Sequence, residues 1–391
     1  MRIGIEACTW ANRRGYGRFT RLLVATMIAD YPQHQFVLVV DQHTAAECTF
    51  PDGVQVEVVQ LTEQPTQAAA HDGARRPADL WKMSRAVSRL KFDAFFFPTR
   101  YSYYPLFCRT RTVIAFHDAT GEKHPKLIFP GWRSRLFWKL KTRLALWQAD
   151  QLITVSQDAR SQLAEVFCRP ESSIKLITEG PDPVFRPLEA KAAAGPILEK
   201  LKIPEGVPLI TYVGGISPHK NLQGLLRALG RVKDLPWHVV LVGDYAKDSF
   251  WGCYTEVVEL ARSLGLTDRL TFTGFISDED LVILYNLSRM LVLPSFSEGF
   301  GLPVVEAMVC GLPVAASNRN SLPEIVGDAG LLFDPLSDEQ MASAIRRLLS
   351  DAPLHAELRA KGLARAELFS WKMGARKLIE IIEEVAARGR R

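Results

Sequence analysis

Short apolar runs alternate with stretches of helical period along nearly the whole chain. In the first half RIGIEA, QFVLVV, VQVEVV, FDAFFFP, TVIAFHD and QLITVS read as strands. LTEQPTQAAAHDGARRPAD has no period and reads as a mobile loop, with a helix over Leu80–Leu90 after it. The Pro-, Ala- and Lys-rich stretch from Arg186 to Pro208 breaks the rhythm and reads as a linker. The pattern then restarts with LITYVGG, HVVLVGD, RLTFTGF, RMLVLPS, LPVAAS and GLLFD. Helices are expected from Asn221, over Tyr254–Leu264, over Asp278–Leu287 and from Pro303, and two more close the chain. Such alternation is the mark of parallel sheets with helical crossovers. Two α/β halves joined at 187–207 imply a cleft, and ligands of open parallel sheets bind beyond the carboxyl ends of the strands.

Composition narrows the class. With 47% hydrophobic and 23% charged residues, the 391-residue chain can bury large cores. Its net charge of +5 is unevenly placed: residues 1–190 hold 25 Lys and Arg against 19 Asp and Glu, and the rest hold 23 against 24. The six cysteines form no C-x-x-C pair, which suits reduced, buried thiols in a cytoplasmic protein. MRIGIEA begins directly as a strand, without the basic and apolar regions of a signal peptide. No apolar run approaches the roughly 20 residues of a membrane span.

The strand ends carry the candidate chemistry. LITYVGG runs into ISPHKN, where Gly214 and Gly215 permit a tight turn and close backbone approach. Lys220 falls at the next helix N-terminus, where unpaired N–H groups and the dipole favour a phosphate. A surface lysine after a glycine turn also fits. RMLVLPS runs into FSEGFGLP, with Glu298 in the loop and Glu306 expected on the first turn of a helix that Pro303 opens. A carboxylate accepts two hydrogen bonds and suits vicinal sugar hydroxyls; a helix-start glutamate and an unrelated loop glutamate would give the same spacing. His117 ends the strand TVIAFHD, and Gly15, Tyr16 and Gly17 form another phosphate-tolerant turn. Lys123, Lys126, Arg133, Arg135, Lys139, Lys141 and Arg143 follow one another with no acid before Asp150. Leu136, Phe137, Leu140, Leu144 and Trp147 share one helical stripe within that stretch. Two readings are open there: an amphipathic helix with a solvated basic face, or contact with an anionic membrane surface. No recognised motif supports nucleic-acid binding.

Together these residues resemble the large family of retaining glycosyltransferases that use nucleotide-sugar donors. SEGFGLPVVEAMVCGLPVAAS resembles its E-x7-E signature and YVGGISPHKNL its donor-phosphate loop. The HD at His117, ADQLITVS and the closing FSW match its other landmarks in order. The resemblance implies the α/β GT-B fold, two Rossmann-like domains facing a cleft. It assigns an acceptor-binding domain to 1–186 and a donor domain to 208–368, with the helix in 369–391 crossing back to the first. It implies that Glu306 holds the ribose hydroxyls and Glu298 the transferred sugar. Backbone at Phe300, Gly301 and Leu302 would approach the sugar or diphosphate, and Phe275 and Ile276 would meet the base. Lys220 would face the phosphates and His117 the reacting sugar, with Gly15, Gly17, Gly214 and Gly215 as close-approach positions.

One position departs: many relatives carry arginine where this chain has Gly215, which leaves charge on the leaving group to Lys220, helped by His219 or Arg18. No cofactor and no metal are implied, the co-substrate being a GDP- or UDP-linked sugar. Asp278-Glu279-Asp280 has a D-x-D look, but acids belong at a helix start in any case. The acceptor expected is a glycan or lipid-linked glycan, in a cytoplasmic protein that touches the inner membrane face through 123–143. The flavour is that of bacterial polysaccharide mannosyltransferases. Two alternatives remain, a UDP-sugar 2-epimerase of the same fold and a non-catalytic nucleotide-sugar-binding subunit.

Overall fold

Strands buried on both faces read as continuous apolar runs, and the chain packs its runs into two all-parallel sheets. A computed structural model of the protein describes residues 1–62, 76–129, 131–188, 194–244 and 253–389. The first sheet holds β1 (Arg2–Glu6), β2 (Gln35–Asp41), β3 (Gln55–Val59), β4 (Ala94–Phe97), β5 (Arg111–Ala115), β6 (Gln151–Thr154) and β7 (Ile174–Leu176). Their order is β3-β2-β1-β4-β5-β6-β7. The second holds β8 (Leu209–Val213), β9 (His238–Val242), β10 (Leu270–Gly274), β11 (Met290–Leu293), β12 (Val314–Ser317) and β13 (Gly330–Phe333), in the order β10-β9-β8-β11-β12-β13. In each sheet the chain steps outward from the first strand and then returns to its other side. The order therefore reverses between β1 and β4 and between β8 and β11, and at such switch points parallel sheets hold their ligands.

Two compact units result: Met1–Glu179 with Ser370–Arg391, and Gly180–Phe369. The last helix, Trp371–Ala387, belongs to the first unit and packs along the helix Gly15–Asp30 and over β4 and β5. It buries Trp371, Leu378, Ile379, Ile382 and Val385. A Cβ on Gly374 would stand 2.3 Å from the Thr178 carbonyl oxygen, so this helix seats at backbone contact. The stretch expected as a linker contains a helix, Ala194–Leu201. Ahead of it, Asn286 accepts from the Leu188 amide at 2.8 Å and donates to the Arg186 carbonyl at 3.0 Å, which ties the connection to the second unit.

Every run read as a strand is one. The three-residue β7 is additional, and it is too short and mixed to show in the pattern. The expected loop after β3 lies at 63–75 outside the described residues, while its end already belongs to the helix Pro77–Leu90. The cysteines are unpaired, as expected, but only Cys8, Cys253 and Cys310 are buried; Cys168 is exposed. Among the described residues no helix is long and apolar enough to cross a membrane.

Candidate functional site

The switch point of the second sheet gathers most of the residues singled out above. After β8 the chain turns through Gly214, at φ +158°, whose amide donates to the Val242 carbonyl at 2.9 Å. A Cβ on Gly243, after β9, would stand 1.9 Å from the Gly214 oxygen, so the two glycine turns touch backbone to backbone. The Tyr212 hydroxyl donates to the Gly215 carbonyl at 2.7 Å and fixes the far side of the turn. A short 3-10 turn, Pro218–Lys220, follows, and then Asn221 at φ +56°.

Asn221, expected only as the start of a helix, also reaches two distant loops. It is buried; its Nδ2 donates to the carbonyls of Pro294 at 3.1 Å and Pro335 at 2.8 Å, and its Oδ1 accepts from Gly224 N at 3.3 Å. It thus caps the helix Leu222–Gly230 and stitches the loop after β8 to the loop after β11. The capping role fits an asparagine just before an apolar helical run; the contacts with the two carbonyls have no local signal. A second stitch joins the same loops, Phe296 N donating to the His219 carbonyl at 2.8 Å. His219 itself lies with Nδ1 3.2 Å from the Ser217 hydroxyl.

Across this seam Lys220 meets Glu298. The ammonium donates to Glu298 Oε1 at 2.7 Å, and the Ser295 hydroxyl donates to the same oxygen at 2.7 Å. Among the described residues nothing donates to Oε2. The carboxylate is therefore anchored by one oxygen and presents the other. Ser321 lies with its hydroxyl 3.0 Å from the carbonyl oxygens of both Glu298 and Phe300, which holds the loop backbone from beneath. Gly301 follows at φ +103°, where a Cβ would come within 2.8 Å of Leu322.

The helix after this loop runs Leu302–Val309. Glu306 is therefore in its second turn and not its first, because the helix starts at Leu302 while the glycines remain outside it. Glu306 is 3% exposed, and the Tyr285 hydroxyl donates to its Oε2 at 3.3 Å. Burial, helped by Glu306, pushes the neighbouring Cys310 thiol up to about 12, so it stays protonated at neutral pH. The helix N-terminus has no side-chain cap and no acid in its first turn. That leaves its positive end open to an anion, whereas the helix beside Lys220 has its end closed by Asn221. Phe275 is half exposed just past β10, and Ile276 is buried. Asp278, Glu279 and Asp280 form the first turn of the helix Asp278–Leu287, capped by Ser277. That is the dipole placement, and Asp280 pairs with Lys200 at 2.6 Å. Among the described residues no group of three or more His, Cys, Asp or Glu is arranged to hold a metal ion.

The family described as glycosyl transferases group 1 matches residues 195–365, and a glycosyl transferase 4-like domain matches 14–177. The chain is 35% identical over 273 residues to O-antigen chain mannosyltransferase B of Escherichia coli, covering 67% of each protein. The chain belongs to the group 1 glycosyltransferases. Other curated relatives are covered over 28% to 54% of their own length. Among solved structures, sucrose-phosphate synthase of Thermosynechococcus elongatus matches at TM-score 0.79 with 19% identity, over 100% of both chains. Anabaena HepE in complex with UDP and glucose matches at 0.73 with 19% identity, over 98% of this chain and 100% of that one. Both likenesses show the fold, the two Rossmann-like domains of GT-B.

In the transferase's first unit, His117 follows β5 and is buried. Its Nε2 lies 2.8 Å from the Pro98 carbonyl, which can only accept, so Nε2 carries the proton and donates. Nδ1 lies 3.6 Å from Glu179 Oε1, an ion-pair distance beyond hydrogen-bond reach. Burial raises the Glu179 pKa, and His117 only partly offsets this. Phe19 and Tyr16 meet the imidazole edge-on at 4.5 and 5.2 Å, so the ring is fixed on several sides. Gly17 has a packing reason: a Cβ there would stand 1.7 Å from the Asn12 carbonyl oxygen. Gly15 faces open space. Arg18 lies on the helix Gly15–Asp30 of this unit.

The basic stretch does not present one uniform face. Lys141 turns inward and donates to the Tyr101 carbonyl at 2.5 Å, and Lys123 pairs with Glu165 at 2.6 Å. The helix Trp132–Gln148 buries Trp138, Thr142, Ala145 and Gln148, and leaves the apolar stripe at Leu136, Leu140, Leu144 and Trp147 outside.

Proposed function

We propose that this transferase moves a hexose, mannose before others, from a nucleoside-diphosphate sugar to a hydroxyl of a glycan or lipid-linked glycan, with retention of anomeric configuration and without a metal or cofactor. It would work in the cytoplasm at the inner membrane face. The observation that carries the reading is the Lys220–Glu298 pair laid across the β8/β11 switch point, beside an uncapped helix N-terminus. Glycosyl transfer builds negative charge on the leaving diphosphate and positive charge on the sugar. A cation and a helix N-terminus aimed at the phosphates stabilise that separation, each such donor being worth roughly 3–4 kcal/mol. Glu298 Oε2 offers an acceptor to a sugar hydroxyl, and the glycines at 299 and 301 bring backbone close to what lies between.

In a front-face mechanism the departing phosphate oxygen takes the proton of the attacking hydroxyl as the new bond to the anomeric carbon forms and the old one breaks. Neither glutamate then acts as nucleophile or base. His117, with Nε2 committed to Pro98, is read as positioning the sugar rather than moving a proton. Phe275 and Ile276 would flank the base. Likeness to O-antigen chain mannosyltransferase B supports mannose and hence a GDP-linked donor, while the UDP held by HepE keeps uridine next in line.

Thermal melts with GDP, UDP, ADP, dTDP and CMP test the donor site. One of them at about 100 times its Kd adds about 2.7 kcal/mol to the unit it binds, a rise of several degrees. Glu306→Ala is expected to abolish that rise by removing the buried acceptor for the ribose. No rise with any nucleotide would overturn the donor site. A rise with GDP or UDP but no transfer to any glycan would favour the non-catalytic reading, and donor isomerisation without an acceptor the 2-epimerase.

A further inference from the structure

Glu179 is a carboxylic acid that the proposed mechanism leaves without a task, buried where the chain leaves the first unit. The backbone leading to it is clamped twice. The Ile177 amide donates to the Thr154 carbonyl at 2.9 Å, and the Thr178 carbonyl lies against Gly374 of the last helix. Glu179 is 4% exposed, and among the described residues His117 is the one ionisable group that acts on it. His117 gives its Nε2 proton to the Pro98 carbonyl, so in the neutral ring Nδ1 turns a bare lone pair toward Glu179 Oε1, 3.6 Å away. A carboxylate there would set two acceptors against each other out of reach of water. One proton between them removes that conflict. Of the two ways to place it, burial penalises the ion pair and favours the acid facing a neutral imidazole.

We infer that Glu179 is a positioning residue for His117: it carries the proton the two share, offers it to Nδ1 and so keeps the imidazole neutral and fixed. The inference rests on the transferase reading, in which positive charge grows on the sugar. An imidazolium beside that sugar would oppose the charge, and a neutral ring does not. The other groups around the ring leave this role to Glu179. Phe19 and Tyr16 approach from the helix Gly15–Asp30, and burial keeps the Tyr16 phenol protonated. Asp118 accepts from the Thr120 amide at 2.9 Å and stands 3.6 Å from Arg100, which is itself paired with Glu122 at 3.0 Å. Trp371 of the last helix brings no charge and meets Phe19 rather than the imidazole. Because burial raises the Glu179 pKa, the shared proton is present at low pH and is lost as pH rises through that raised value.

The test compares Glu179→Ala and Glu179→Gln in the release of GDP from GDP-mannose, with methyl α-mannoside as acceptor, over about pH 5–9. Glu179→Ala is expected to lower kcat about a hundredfold, as a displaced group at a reacting centre does, with donor KM and the rise in melting point with GDP unchanged. The amide of Glu179→Gln can donate to Nδ1 as the protonated acid does. It should restore most of the rate and, since it does not titrate, remove the wild-type fall at the alkaline end. Nitrogen NMR of histidine-labelled protein reads the ring directly, with His117 assigned by its loss in His117→Gln. Nδ1 should accept a hydrogen bond in the wild type and in Glu179→Gln, and lose it in Glu179→Ala. The inference is overturned if the wild type shows no alkaline fall, if Glu179→Gln keeps that fall or drops as far as alanine, or if the His117 signals are alike in all three proteins. Glu179→Gln preserves shape, so its pH profile and spectrum decide even where alanine does not fold. A wild type that turns over no donor strikes the functional reading, and the His117 spectra then decide alone whether Glu179 holds the ring.

Discussion

Lys220→Ala is expected to lower kcat by about two to three orders of magnitude, the cost of removing one preorganised donor to a developing anion. KM for the donor should change far less, because the charge that Lys220 answers grows mainly as the bond breaks. The pair with Glu298 sharpens this expectation. At 2.7 Å and largely shielded from water, the ammonium is already held in one place by the carboxylate. No arginine stands at Gly215 to compensate, and His219, the nearby alternative, already lies against Ser217. The measurement is steady-state transfer from GDP-mannose, with a melt to show that the variant is folded. Lys220→Arg keeps the charge and should recover part of the rate. Unchanged turnover in the alanine variant would end the account of leaving-group stabilisation given above.

Gly17→Ala should be the most damaging small substitution in the first unit. The added Cβ would lie 1.7 Å from the Asn12 oxygen and 2.8 Å from that of Thr9, both backbone atoms that no rotamer change can move aside. Overpacking of this kind costs about 3 kcal/mol, which corresponds to a melting point lower by roughly 6–12 °C for a unit of this size. Gly15→Ala is the control. Two residues earlier on the same turn it meets open space, and alanine there should be neutral or stabilise by about 0.5–1 kcal/mol. Equal melts for the two variants would show that the turn yields more readily than its contacts indicate.

These two glycines show where sequence reading stops. GYG after the first strand signals a turn, but not that Gly17 faces a wall of carbonyls while Gly15 faces water. The strands were legible because FVLVV and AFFF are buried on both faces and so carry no polar punctuation. The helix after β11 was legible to within one residue through Pro303, but the burial of Glu306 on it was not. Partnerships across distant loops could not be read at all. Nothing local says that Asn221 holds the carbonyls of Pro294 and Pro335, or that Lys220 and Glu298 share one hydrogen bond. The basic run and its apolar stripe were legible, but not their directions: Lys141 is turned onto Tyr101, Lys123 is paired, and the arginines stay beside an apolar stripe that faces water.

The second unit is spliced into the first, between Glu179 and Ser370. During synthesis the first sheet therefore emerges complete to β7 while the helix that covers it does not yet exist. At about 5–20 residues per second the ribosome needs roughly ten to forty seconds to make the second unit and deliver Trp371. For that interval the helix Gly15–Asp30 lacks its packing partner around Phe19 and Leu23, and the part made first is the part finished last. The second unit, contiguous in sequence, can close on its own as it emerges. Completion order and chain order thus run in opposite senses.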